Sequence, residues 1–251
     1  MKEVAPSTNL EQALRDTIDH HNHYPGYPTK RLSAENPDVA RQLTEGAISL
    51  LPEGVWSTGY DSLHHQTTED LRLLRLQGHL FDKVGRPLHP WLNNMLKDST
   101  IGVVTGTGTY WKMGPNKTAD PIVITTENNP RVLLVQRNDN KNWAFAGGYV
   151  DMGEAAIETA RREALEETGI RLDSPPVAIV YDGVVADART TAYAWPETTA
   201  VLWRVTRPLP LTIDENEVDD AGWFYLTDLP VQLHGSHGVL LQQAVQRYVE
   251  Q

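Results

Sequence analysis

The tightest constraint on this chain is the spacing of residues 148–170. The stretch opens with Gly148, reaches Gly153 and Glu154, and runs on for seven residues. It closes with Arg162, Glu163, Ala164, Leu165, Glu166, Glu167, Thr168, Gly169 and Ile170. Residues 154–167 contain no Pro or Gly and are rich in Ala, Glu, Arg and Leu, which enter helices at little cost. Gly169 sits where a helix ends on a left-handed residue. The spacing therefore predicts a helix over 154–167. At about 100° per residue, Glu163, Glu166 and Glu167 share one arc of it. Glu154, Glu158 and Arg162 follow at i, i+4 and i+8 and pair along the neighbouring face. Ala155, Ala156, Ala160, Ala164 and Leu165 leave a small apolar surface to lie on a sheet.

Three carboxylates on one arc repel one another. A hard divalent cation with oxygen ligands offsets that repulsion. A charge run by itself reads as a solvated, salt-bridged helix face. The glycine loop at a fixed distance before this helix is what turns the pattern toward chemistry.

Taken together, these positions resemble the Nudix box, the signature of the Nudix hydrolases. The resemblance implies an α/β fold, an α/β/α sandwich around a mixed sheet, and hydrolysis of a nucleoside diphosphate derivative. The flanks narrow it. Gly114, Pro115 and Asn116, with Ala119, Asp120, Pro121 and Ile122, resemble a segment of mitochondrial-type ADP-ribose pyrophosphatases. The same segment occurs in the related C-terminal domain of the ADP-ribose-gated melastatin-type cation channel. Asp187, Arg189, Thr191, Ala194, Trp195, Glu197 and Thr198 match a second segment. Asp219, Asp220, Ala221 and Gly222, then Ser236 and His237, match in order, and Gly85, Arg86, Pro87 and Pro90 resemble a stretch upstream. The similarity covers about 84–250. Two departures stand out. Ala146 precedes Gly147 and Gly148 where such loops often carry Pro, and Ala192 and Tyr193 replace an Asp-Asn pair.

What the resemblance implies for the site follows residue by residue. Glu163, Glu166 and Glu167 are the expected metal ligands, joined by a backbone carbonyl near Gly148. Arg162 and Glu154 orient these carboxylates and complete the catalytic set. The base is a glutamate, with none singled out. The expected cation is Mg2+, with Mn2+ as the substitute, because it neutralises phosphate oxygens and activates water. Arg189 is a candidate phosphate clamp, since its planar fork suits phosphate oxygens; an ordinary surface arginine is the alternative. Trp195 stacks on adenine or fills the core. His237 contacts ribose or phosphate, or ties the start of a helix. Asp219 and Asp220 bind ribose or hold a loop. Asp187, Glu197 and Arg137 complete the expected substrate contacts. Cleavage of ADP-ribose would yield AMP and ribose 5-phosphate. Two rival functions remain: hydrolysis of NADH or a dinucleoside polyphosphate, and non-catalytic sensing of ADP-ribose. The intact box favours turnover.

The remaining residues set the frame. The chain has 251 residues and a net charge of −11, so it is a poor partner for nucleic acid, which is bound through basic patches. It has no cysteine, which excludes disulfides and thiolate metal sites. The polar N-terminus carries no apolar core of a secretory signal, and no run matches a membrane span. The expected setting is cytoplasmic, with a small nucleotide as partner, no membrane, and self-association left open. Residues 1–97 read as a helical region, with helices over 8–20 and 36–51 and a third capped by Thr68. Residues 98–251 read as the hydrolase domain. Strands are expected over 101–109, 121–126, 131–137, 177–185, 200–205 and 221–225, with 142–146 leading into the glycine loop, and a closing helix over 238–247. His20, His21 and His23 read as exposed helix-end residues, and Gly106 and Gly108 lack the third glycine of a dinucleotide fingerprint.

Overall fold

Alternate residues of the central strands face opposite sides of one sheet, and both sides are buried. In the computed structural model, which describes residues 67–97, 106–187, 189–231 and 233–249, the elements run in this order. Helices α1 (Thr68–Leu76) and α2 (Leu92–Lys97) come first. Strands β1 (Gly114–Thr125), β2 (Arg131–Arg137), β3 (Trp143–Ala144) and β4 (Gly148–Tyr149) precede α3 (Ala156–Thr168). Strands β5 (Ala178–Val184), β6 (Ala194–Val205) and β7 (Val218–Tyr225) precede α4 (His237–Val249). The helices expected over 8–20 and 36–51, and the three histidines, lie outside the described residues.

The chain divides into two compact units. One comprises Met1–Asn116 with Val184–Pro196; the other comprises Lys117–Gly183 with Glu197–Gln251. In the first, the cap of α1 falls one residue before the expected one. Thr67 is the N-cap: its hydroxyl accepts from the Asp70 N–H while the Asp70 carboxylate accepts from the Thr67 N–H. Asp70 lies three residues after Thr67, and that reciprocity decides the start. Of the strand expected over 101–109, residues 101–105 lie outside the described residues, and 106–109 form turns and bends, with Gly106 and Gly108 at φ 74° and 59°.

In the second unit, the sheet order is β3-β2-β1-β6-β5, with β7 on β2 and β4 on β1. β1 with β2, β1 with β4, and β2 with β7 are antiparallel. β1 and β6 run parallel: Gly114 N donates to Tyr193 O, and Thr126 N donates to Val205 O, at the same offset. The sheet is therefore mixed. Ile122, Ile124, Val132, Leu134 and Leu202 pack toward Leu240, Leu241 and Ala244 of α4. Val123, Leu133, Val201 and Trp203 pack toward Ala160 and Ala164 of α3. Period-two alternation with both faces covered gives an α/β/α sandwich.

Several strands outrun their expected ranges. β1 reaches back to Gly114 through Gly, Pro and Asn, which are poor strand formers, because its neighbours supply the pairing. β6 likewise begins at Ala194 and β7 at Val218, so Asp219 and Asp220 lie in a strand. Helix α3 starts at Ala156, not at residue 154, after Gly153 at φ 85° and an extended Ala155 without a side-chain cap. Its end matches expectation: Gly169 is left-handed at φ 72°. Leu165 is 40% exposed and does not join the buried face; Thr159 and Thr168 do.

Candidate active site

Two successive glycines let carboxylates approach the loop between β3 and β4. A Cβ on Gly148 would land on the Glu163 carboxylate, and one on Gly147 would land on Asp120 and lie 2.9 Å from the Ala119 carbonyl oxygen. The Gly147 N–H donates to Glu167 at 3.2 Å. β4 holds the far side of the loop through the Ala119–Gly148 register with β1. Glu163 and Glu167, both from α3, thus converge on this dipeptide.

Arg162 ties the cluster together. Its Nη1 donates to Glu163 at 2.7 Å and to Glu166 at 2.9 Å. Its Nε and Nη2 form a fork on the Glu154 carboxylate at 3.2 and 3.1 Å, and Nη2 also donates to the Tyr149 carbonyl at 3.1 Å. Thr159 donates to Glu154 at 2.8 Å. Glu154 meets Arg162 from the loop rather than from the helix. Glu158 does not join them: it pairs with Arg161 at 3.8 Å.

The electrostatics follow from this crowding. Burial is the largest influence on Glu167 and pushes its pKa up to about 8; the charges of Glu163 and Glu217 add to it, against the Gly147 N–H and Arg137. Burial also raises Glu163. Asp120, buried and accepting from the Thr198 hydroxyl, is raised to about 6, first by burial and further by Glu163. The Arg162 fork holds Glu154 below the usual carboxylate range, and Glu154 is in turn the main cause that raises Arg162.

The donor set suits a hard divalent cation. It consists of carboxylates and backbone carbonyls, and the cradle at Gly148 exists only because no Cβ fills it. Glu163, Glu166, Glu167 and the Gly148 carbonyl are the groups that would hold the ion. Among the described residues no three His, Asp or Glu side chains are gathered into a formed metal centre. Arg162 engages oxygens of Glu163 and Glu166 and supplies counter-charge there, so a cation competes with it for the same atoms.

The other expected site residues are distributed as follows. In the second unit, Arg137 pairs with Asp139 at 2.7 Å, and its charge acts on Glu167 and Asp120. Asp219 pairs with Lys141, and the Asp220 carboxylate accepts from the Ala221 N–H. His237 opens α4; its Nδ1 accepts from the Phe145 N–H at 2.9 Å and its ring stacks on Phe145. That bond anchors the chain two residues before the glycine loop. Glu197 is half-buried on β6 and helps raise Tyr181 to about 12, behind burial itself. In the first unit, Asp187 takes the Arg189 guanidinium in a fork at 2.9 and 2.6 Å. Trp195 is 0% exposed, ringed by His79 and His89, so its indole offers no open face to a base. Asp120 and Thr198 escape selection from sequence although both stand in the matched segments; their 78-residue separation hides the bond between them.

Comparison with known proteins agrees with this geometry. A family model described as NUDIX domain matches residues 115–244, more than half of the chain. A putative nudix hydrolase 6 of Caenorhabditis elegans is 38% identical over 129 residues, covering 47% of this chain and 49% of that protein. The mitochondrial ADP-ribose pyrophosphatase of Rattus norvegicus is 26% identical, covering 89% and 76%. A transient receptor potential cation channel subfamily M member-like 2 of Nematostella vectensis is 28% identical, covering 71% and 14%. The chain thus spans about half of the nematode relative and a small part of the channel. The matched family span carries the glycine loop, Arg162 and every carboxylate gathered around them, and the chain belongs to the Nudix hydrolase family.

Proposed function

We propose that the chain hydrolyses the pyrophosphate bond of ADP-ribose to AMP and ribose 5-phosphate, using a divalent cation, Mg2+ first and Mn2+ as its substitute. The observation that carries the reaction class is the convergence of Glu163 and Glu167 on Gly147 and Gly148 under the control of Arg162. The substrate rests on the matched segments at 114–122 and 187–198, and on similarity to the rat enzyme over most of both chains. Nudix hydrolases generally use divalent metals. The bound ion would neutralise phosphate oxygens and lower the pKa of water.

The chain's own groups do the rest. Arg162 fixes the carboxylates of Glu154, Glu163 and Glu166 relative to one another. A water oxygen attacks phosphorus, the bridging P–O bond breaks, and the water's proton passes to a carboxylate of the cluster. Arg189 is the proposed clamp on the diphosphate. We further propose 98–251 as the hydrolase domain, 1–97 as an appended region, and a cytoplasmic setting. Among the described residues no helix is long and apolar enough to cross a membrane.

The deciding experiment is a side-by-side panel of ADP-ribose, NADH, dinucleoside tetraphosphates and nucleoside triphosphates at equal Mg2+, with products separated by chromatography. The expected result is the highest kcat/KM for ADP-ribose. A higher value for a triphosphate or NADH would overturn the substrate and leave the family intact.

A further inference from the structure

A buried ion pair outside the matched family span holds the segment that carries Arg189. Asp82 and Arg86 pair at 2.8 Å with side chains 0% and 6% exposed. They close a tight turn: Asp82 N donates to Arg86 O, and the Asp82 carboxylate accepts from the N–H groups of Val84 and Arg86. The second arm of the guanidinium leaves this turn. Its Nη2 donates to the Tyr193 hydroxyl at 3.0 Å, and the guanidinium carbon sits 4.1 Å from the centre of the Tyr193 ring. Three residues on, His89 N donates to Ala192 O at 2.8 Å. Tyr193 is 0% exposed.

Between Asp187 and the start of β6 at Ala194, the described residues 189–193 lie in turns and bends with no regular element of their own. The Asp187 carboxylate takes the Arg189 N–H and Thr190 N donates to Asp187 O. The Thr191 hydroxyl accepts from Tyr193 N and Ala194 N and donates to Gly106 O. Such a segment keeps one conformation only if something outside it does the holding. A buried ion pair is a poor way to gain stability, since apolar residues of the same volume often do as well or better. It is an effective way to fix one geometry, because a guanidinium fork accepts few arrangements.

We propose that Arg86 and Tyr193 are positioning residues for substrate binding, holding the backbone of 187–194 in the conformation that presents Arg189. Arg86 is too buried to touch the substrate and acts through Tyr193. The inference rests on the proposed role of Arg189.

Two variants test it. Tyr193→Phe removes only the hydroxyl and keeps the ring. Arg86→Lys keeps a charge beside Asp82 but loses the fork. Measured are kcat and KM for ADP-ribose, Tm, and deuterium uptake of peptides spanning 187–194. The expected result is a KM raised about threefold to tenfold, as befits loss of one positioning hydrogen bond, with kcat within about twofold and faster exchange in those peptides. A lowered Tm with unchanged KM would overturn the proposal and leave a purely structural bond. If the wild-type chain turns over no ADP-ribose, the proposed function fails by itself. The KM comparison then moves to the diphosphate that the panel identifies, and unchanged exchange in both variants would end the positioning role.

Discussion

The carboxylate of Glu163 occupies the space where a Cβ of residue 148 would stand. It is the free end of a flexible side chain, so Gly148→Ala displaces Glu163 without moving backbone. The fold should survive, with Tm within a few degrees, while kcat falls about tenfold to a hundredfold, as misplacing a reacting group by about an ångström does. Gly147→Ala differs in kind. Its Cβ meets the backbone carbonyl of Ala119 as well as Asp120, so it should lower Tm clearly. Thermal melts beside turnover separate the two; equal melting losses would show that the Gly148 cradle is not specific to Glu163.

Glu167 makes metal-free stability depend on pH. Its folded pKa of about 8 lies above the ordinary 4.5, so the folded state prefers the protonated carboxyl. Stability from this group is complete below pH 4.5 and is lost as pH rises toward 8. Asp120, raised from 3.8 to about 6, acts in the same direction at lower pH. In EDTA, the wild-type Tm should fall from pH 5 to pH 8.5, and Glu167→Gln should flatten the decline. Mg2+ should raise Tm most at the alkaline end, where the carboxylates are ionised. A wild-type Tm that rises over this interval would contradict the burial of Glu167.

Metal dependence follows from the same crowding. Excess EDTA should abolish hydrolysis and Mn2+ or Mg2+ should restore it. Glu166→Gln and Glu167→Gln should each lower kcat by orders of magnitude while the fold persists, because glutamine keeps the shape of the side chain and removes only its charge. A variant that keeps more than about a tenth of wild-type turnover would show that its carboxylate is not needed.

The helix and its C-terminal glycine are legible in the sequence because both obey local rules: good helix formers, then a left-handed Gly169. The helix start is not legible, since Ala155 offers no side-chain cap to read. The Arg162–Glu163 bond is also hidden, because adjacent helical residues do not ordinarily face each other. A long guanidinium folded back over the cluster makes the contact. The burial of Asp120 is illegible for another reason: its partner Thr198 arrives only once β1 and β6 are side by side. Trp195 shows the limit of motif matching. Its segment matches a nucleotide-binding family, yet its ring is fully enclosed.

Arg189 is the sharpest test of the substrate. Its fork is held by Asp187, whose side chain is 10% exposed, while Arg189 itself is 24% exposed. A charge-assisted contact to a phosphate is worth about 1.5–3 kcal/mol, or about tenfold to over a hundredfold in kcat/KM. Arg189→Ala should cost that much, and most of the loss should appear in KM if the contact forms on binding. Arg189→Lys keeps the charge but not the planar fork, so it should recover only part of the loss. Asp187→Asn weakens the grip on the fork and should also raise KM, by less. If Arg189 serves only to satisfy Asp187, the pattern reverses: Arg189→Ala lowers Tm by taking the guanidinium away from a mostly buried carboxylate, and kcat/KM stays within about twofold. Near-wild-type kcat/KM for Arg189→Ala would remove this residue from the site and take with it the strongest sequence argument for ADP-ribose.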